Sequence, residues 1–279
     1  MKRIDQLSLG WRTDLIFPRF DAHVIERSDH WLIRTPHNPT YWWGNFLLYP
    51  RAPREGDAHA WLAAFDEEIA SVQPQSRHIA IGVDAAAPFE LPPDFAAAGL
   101  CACETTVLSL RAGRLRTTAK VLPAGLVARP LRLAAESPLA IEQQVASDDD
   151  GHEPVGYRVF RERQMQRYAA MELARLGHWF GVLARTPQGQ AMTAGCGLFR
   201  DGTLGRFQYV STHPAWRRRG LCTALVHAVC RHGFEAMGLD TLVIAADPDD
   251  VAIGIYESLG FERTASAWQL ERRPADDHR

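Results

Sequence analysis

Apolar positions change their period several times along the chain, and each change marks an element. Residues 207–212 are rich in aromatic and β-branched side chains and are closed by Pro214, which predicts a strand. Behind it, Leu221, Leu225, Val226, Val229, Cys230, Phe234 and Met237 recur at helical spacing, with Gly238 as the stop. Residues 241–246 are almost wholly apolar, as expected of a buried strand. Asp247, Asp249 and Asp250 then offer carboxylates for a helix start, and Val251, Ile255 and Leu259 share one face of that helix. Gly260 suits a left-handed cap with Phe261 as its apolar contact, and 266–271 alternate as a last strand.

The N-terminal half shows a comparable succession. Residues 22–26 and 31–35 are predicted strands, 41–49 form an aromatic strand, and Asp57 caps a helix through Ala70. Residues 78–84 form a strand, 92–98 a short helix stopped by Gly99, and 105–110 another strand; residues 8–20 give no assignable pattern. With the terminal glycines superposed, Phe95, Gly99 and Leu100 fall on Tyr256, Gly260 and Phe261, so one order of elements occurs twice. Pro123 and Gly125 interrupt weakly patterned sequence at 113–128, which predicts two domains, 1–120 and 126–279. The second opens with a strand at 129–133, a helix at 138–146, a polar loop at 148–153, a long helix at 157–176, and strands at 179–184 and 191–199.

Composition narrows the function. A formal net charge of −2 gives no basic field for nucleic acid, and no apolar run reaches the length of a membrane span. Met1, Lys2 and Arg3 are not followed by a hydrophobic signal core. The five cysteines lack metal-like pairing and fit small core positions in a reducing cytoplasm. The expectation is a cytoplasmic protein with no metal, no nucleic-acid partner and no membrane, with a homodimer left open.

The chemistry concentrates at Arg217, Arg218, Arg219 and Gly220, between the predicted strand and the start of the helix. Cations at a helix N-terminus oppose the macrodipole unless an anion joins them. A pyrophosphate ringed by the backbone NH groups of 218–222 resolves that conflict, whereas a solvated basic turn is the plain alternative.

Pro214, Arg217, Gly220, Cys222 and Leu225, followed by Asp249, Ala252, Ile255, Tyr256, Gly260 and Phe261, resemble the two signature motifs of the GNAT acetyltransferase superfamily. Cys222 stands where Gly or Ala is usual in that family, and Asp249 where Asn is usual. The resemblance implies an α+β fold of two GNAT-like units, each a mixed, mostly antiparallel sheet flanked by helices. It implies acetyl-CoA, or another acyl-CoA, as co-substrate. Arg217, Arg218, Arg219, Gly220, Leu221, Cys222 and Thr223 would hold it, with Asp249 capping the next helix. By the same resemblance, the backbone of Val210 and Thr212 pairs with the pantetheine arm, Tyr256 is the general acid, and 157–168 line the acceptor pocket. The first copy has Glu55 and Asp57 near the corresponding loop and Phe95 in place of the tyrosine, which marks it as degenerate.

The expected activity is transfer of an acetyl group to a primary amine of a small molecule or peptide. A silent CoA-binding or scaffolding protein is the second reading, and an aminoacyl-tRNA-dependent transferase the third. Glu153, Glu162, His178 and His213 are base candidates by type only, and the sequence singles out none of them.

Overall fold

A computed structural model describes residues 2–149, 151–187 and 189–274 of the 279-residue chain. The elements are α1 (Leu9–Asp14), α2 (Pro18–Asp21), β1 (His23–Glu26), β2 (Trp31–Arg34), β3 (Phe46–Tyr49), α3 (Ala58–Phe65), β4 (Ile79–Val83), α4 (Pro93–Ala97) and β5 (Cys101–Arg111). They continue with β6 (Leu126–Pro130), α5 (Leu133–Ala146), α6 (Pro154–Leu173), β7 (Gly177–Thr186), β8 (Gly189–Asp201), β9 (Leu204–Thr212), α7 (Leu221–Glu235), β10 (Thr241–Ala246), α8 (Ala252–Ser258) and β11 (Glu262–Arg272). The fold is α+β.

The chain divides into two compact units, and the second is Leu108–Thr264. The first runs to Val107 and takes up the chain again at Ala265. This division differs from 1–120 and 126–279, because the C-terminal half of β11 ladders onto β4, Trp268 opposite Val83 and Arg272 opposite Ile79. Pairing partners rather than chain order decide membership.

In the first unit β1, β2 and β3 pair antiparallel, β3 and β4 parallel, and β4 and β11 antiparallel. Its core holds Tyr49, Trp61, Phe65 and Phe95, with the rings of Tyr49 and Trp61 stacked at 3.7 Å. The aromatic stretch predicted as one strand over 41–49 is a strand only from Phe46. Trp42–Gly44 form a 3₁₀ turn, because the Asn45 amide donates to the carbonyls of Asn38 and Tyr41 and its oxygen accepts from the Thr35 NH. The unassigned stretch at 8–20 contains α1 and α2, with Trp11 buried.

In the second unit β6, β7, β8 and β9 pair antiparallel and β10 runs parallel to β9. α7 packs its apolar face, including Leu221, Leu225, Val226 and Val229, into a core shared with Phe207, Leu242 and Ile244. That stripe is the one the sequence shows. α5 begins at Leu133, ahead of Pro138, because Glu136 accepts from the Arg132 NH at 2.8 Å and Glu172 accepts from the Leu133 NH at 2.9 Å. α6 begins at Pro154, where the Glu153 carboxylate takes the NH groups of Val155 and Gly156 at 2.9 and 2.6 Å.

Asp57 precedes α3, yet its side chain makes no cap bond. Its carboxylate instead pairs with Arg51 and accepts from the Arg54 NH at 2.8 Å. Asp94 caps in its place.

Candidate active site in the C-terminal unit

β9 carries the feature that opens the second unit. Its register against β8 shifts between Gly195 and Gly197, where three steps of β9 (Ser211 to Gln208) face two of β8. The extra residue is a bulge, and Tyr209 sits in it with φ +43°, a left-handed conformation that is uncommon outside glycine. The ladder between β9 and β10 covers Thr241–Val243 against Leu204–Arg206 and stops before the bulge. The C-terminal halves of the two strands are thus left without a mutual ladder.

A cleft of about 640 Å³ lies at this opening. Tyr209, Val210, Ser211 and Thr212 of β9 line it, together with the start of α7, the end of α5 and the start of α8.

The loop entering α7 is built by local bonds. The His213 ring accepts from the Ala215 NH at 3.2 Å, and Pro214–Trp216 form a 3₁₀ turn. Arg218 and Gly220 then adopt φ +61° and +76°, which swings successive NH groups to one side. At Gly220 the positive φ disfavours any larger residue, and the Lys120 side chain lies 3.3 Å from where a Cβ would stand. Among the described residues the backbone NH groups of 218–223 have no protein acceptor, and the first loop bond beyond them is from the Ala224 NH to Gly220 O at 3.1 Å. Six donors without acceptors at a helix N-terminus form an anion cradle.

The three arginines have separate surroundings. Arg217 donates to the Thr212 carbonyl at 3.2 Å and pairs with Asp149 at 2.7 Å. Arg219 lies over the Trp216 ring at 4.8 Å and donates to the Ala215 carbonyl, and it does not line the cleft. Arg218 lines the cleft and has no protein partner among the described residues, which leaves its guanidinium to meet a bound anion.

Of the expected site residues, Val210, Thr212, Arg217, Arg218, Gly220, Leu221, Cys222 and Thr223 come together at the cleft, and Arg219, Asp249 and Tyr256 do not line it. The cap expected of Asp249 is made by Asp250, whose carboxylate accepts from the Ala252 NH at 2.8 Å. Asp249 is held by its own backbone NH, which donates to Asp247 at 2.9 Å, and its side chain is exposed. Tyr256 is buried beside Phe261, while its neighbours Ala252 and Ile255 face the cleft. Burial, reinforced by Cys222 and Asp250, pushes its phenol well above the usual tyrosine range, so it stays protonated at any ordinary pH. Burial also pushes the Cys222 thiol up to about 12.

None of Glu153, Glu162, His178 and His213 lines the cleft. The carboxylates that do are Asp148, Asp149 and Asp250, the first two at the end of α5. Sequence reasoning placed these two in a loop without function. The bulge left no trace in the apolar pattern either, since 207–212 read as a regular strand.

At the far end of the bulge the α6 side chains close over Tyr209. Its hydroxyl is 3.0 Å from that of Tyr157, and the Arg161 guanidinium lies 3.7 Å from the centre of its ring. His152 stacks on Tyr157 at 4.7 Å and pairs with Asp148 at 2.8 Å.

Residues 143–261 match the sequence model of the acetyltransferase (GNAT) family, so the C-terminal region carries a GNAT acetyltransferase domain. Solved structures share the fold over nearly the whole chain. A functionally unknown conserved protein from Staphylococcus epidermidis is 11% identical with a TM-score of 0.72, the match covering 91% of this chain and 95% of that one. A GCN5-related N-acetyltransferase from Kribbella flavida is 17% identical with a TM-score of 0.60, covering 93% and 92%. A tandem GNAT protein from the clavulanic acid biosynthesis pathway is 16% identical with a TM-score of 0.57, covering 93% and 86%.

Proposed function

We propose that this GNAT-domain protein is an acetyl-CoA-dependent N-acetyltransferase acting on a primary amine of a small molecule or peptide. The observation that carries this reading is the acceptor-free run of NH groups at 218–223 opening into a cleft beside a bulged strand. A pyrophosphate fits that donor set: six backbone donors, the cleft-lining Arg218 and the nearby Arg217. Arg219 would act from the rim, and Asp249 only through the loop that precedes α8.

Acetyl-CoA supplies an acyl group activated as a thioester. The backbone of Val210 and Thr212, freed by the bulge from a regular ladder with β10, offers polar groups for an extended amide-bearing arm and for the acyl oxygen. A nitrogen–carbon bond forms as the carbon–sulfur bond breaks, and the ammonium proton passes to water. Tyr256, which stays protonated until transfer, acts as the general acid: its proton passes to the departing sulfur, which leaves as the thiol, and water returns the ammonium proton to the phenol.

The first unit is the degenerate copy of a tandem pair on this reading. Its corresponding loop already holds an anion of its own: Asp94 accepts from the NH groups of Gly56 and Ala58 at 2.9 and 3.1 Å. The protein is proposed to work in the cytoplasm, where its five free cysteines remain reduced.

One observation favours a second reading, a CoA-binding protein without transfer: Tyr256 does not line the cleft. Calorimetric titration with acetyl-CoA, beside a variant carrying Arg218→Ala and Gly220→Asp, tests the binding step. One site per chain, lost in the variant, is the expected result. Absence of binding in the parent overturns the proposal, and binding without turnover on any amine moves it to the second reading.

A further inference from the structure

Arg161 is the unusual charge of the second unit. It sits on α6, half-buried, with its guanidinium 3.7 Å from the Tyr209 ring centre, 4.7 Å from that of Tyr157 and 5.1 Å from that of Phe160. Its Nη2 donates to the Tyr157 hydroxyl, while Nε is buried and has no partner among the described residues. Among the described residues no carboxylate stands at ion-pair distance from it.

The neighbouring charges are otherwise committed. Arg158, on the same helix, pairs with Glu142 at 2.6 Å, Asp148 pairs with His152, and Glu162 is exposed. The Tyr209 phenol offers no counter-charge, since burial raises it above its ordinary range and keeps it neutral. A guanidinium stacked on rings is held in one plane, with its remaining NH edge presented in a fixed direction. Ordering a cation in this way without an anion costs desolvation that the aromatic contacts only partly offset. A ligand anion completes the arrangement.

Tyr209 joins this group to the cleft. It is a lining residue that sits in the bulge next to Val210, and Arg161, which does not itself line the cleft, lies against its ring. The cradle at 218–223 lies beyond Thr212 in the chain and is proposed for a different anion, the pyrophosphate. Resting on the proposed transferase reading, we infer that the acceptor amine also carries a carboxylate, and that Arg161 pairs with it while Tyr209 and Tyr157 fix the guanidinium. The acceptor class is therefore amino acids and related amino-carboxylates, or peptides whose carboxylate lies close to the reacting nitrogen. Neutral and polycationic amines are disfavoured.

The test compares each acid with its amide: glycine with glycinamide, glutamate with its α-amide isoglutamine, lysine with lysinamide, and a dipeptide with its C-terminal amide. Initial rates are measured at saturating acetyl-CoA, and acetyl-CoA binding is measured separately by calorimetry. The expected result is a kcat/KM at least tenfold higher for one acid than for its amide, read mainly in KM. That ratio should fall toward one in Arg161→Gln and be partly kept in Arg161→Lys, with the acetyl-CoA affinity unchanged in both. Free amino acids and dipeptides as separate arms distinguish the two sources of carboxylate.

Acetyl-CoA binding with turnover confined to neutral or cationic amines, no turnover on any acid, or a selectivity that survives Arg161→Gln overturns the assignment while leaving the transferase reading intact. Failure of acetyl-CoA to bind overturns both. Should Arg161→Gln fail to fold, the acid-to-amide ratio of the parent protein and of Arg161→Lys decides.

Discussion

Asp94 places one carboxylate oxygen 2.9 Å from the Gly56 amide nitrogen, so a side chain of the first unit itself occupies the donors of the loop before α3. The same oxygen is 3.1 Å from the Ala58 NH at the start of α3. In the second unit the NH groups from Arg218 to Thr223, before α7, meet no acceptor among the described residues. A side chain from α4 thus does before α3 what a ligand phosphate is proposed to do before α7.

Removing that carboxylate should destabilise the first unit without touching the cofactor cleft. Asp94→Ala is expected to cost about 1–2 kcal/mol, the usual loss for a helix N-terminal acceptor. Thermal or urea unfolding of the full chain checks this. Acetyl-CoA affinity should be unaltered, and an altered affinity would show that the two loops are not independent.

Arg218 should matter more for acetyl-CoA binding than Arg217. Arg217 already spends part of its hydrogen-bonding capacity on Asp149 and Thr212, whereas Arg218 has no partner among the described residues. Arg218→Ala is expected to weaken binding roughly tenfold or more, as loss of a charge-assisted hydrogen bond does. Arg217→Ala should cost less. Calorimetry on the two variants at one salt concentration settles the order.

Tyr256→Phe should lower kcat by about 10²-fold or more while leaving acetyl-CoA affinity nearly unchanged, because the ring stays packed beside Phe261 and only the proton is lost. The raised phenol also predicts no fall in rate with rising pH up to about 10 that depends on this tyrosine. A pH–rate profile of parent and variant reads both effects, and an alkaline limb that vanishes in the variant would contradict the burial of the group.

The first unit should lose stability in mild acid through His78. Burial lowers its imidazole from 6.5 to about 4, and its Nε2 bonds to the Asn45 carbonyl at 3.0 Å. The folded form therefore stays neutral while the unfolded chain takes up a proton as pH falls below 6.5. Stability from this group is complete above that value and declines down to about 4, by at most about 1.4 kcal/mol per pH unit. Unfolding measured from pH 7 to 4 should show the decline, and His78→Gln should flatten it.

The fold was legible wherever a period was. The stripe of α7, the apolar run of β10 and the glycine stops at Gly99, Gly238 and Gly260 correspond to observed elements, and all three glycines have positive φ. Capping was legible only as a supply of carboxylates near a helix start. Asp57 and Asp249 stand where caps are expected, yet Asp94 and Asp250 make the bonds. In the first case the acceptor comes from a helix 36 residues away. In the second, Asp247 already accepts from the Asp249 NH, and the choice among adjacent acids depends on backbone angles that composition does not set.

The sequence by itself determined the periodicities, the arginine loop ending in Gly220 and the order of elements that repeats, because each depends on residues close together in the chain. Tertiary structure decided the rest. The bulge at Tyr209 exists only as a mismatch of two strands, β8 and β9, and the positive φ there is held by that pairing and by the rings and guanidinium of α6. The assignment of Ala265 and the residues after it to the first unit follows from the ladder between β11 and β4, two segments nearly 200 residues apart whose apolar patterns carry no record of each other. The withdrawal of Tyr256 from the cleft into the core is likewise a packing outcome: α8 is short, and one turn decides which face meets Phe261 and which meets the ligand.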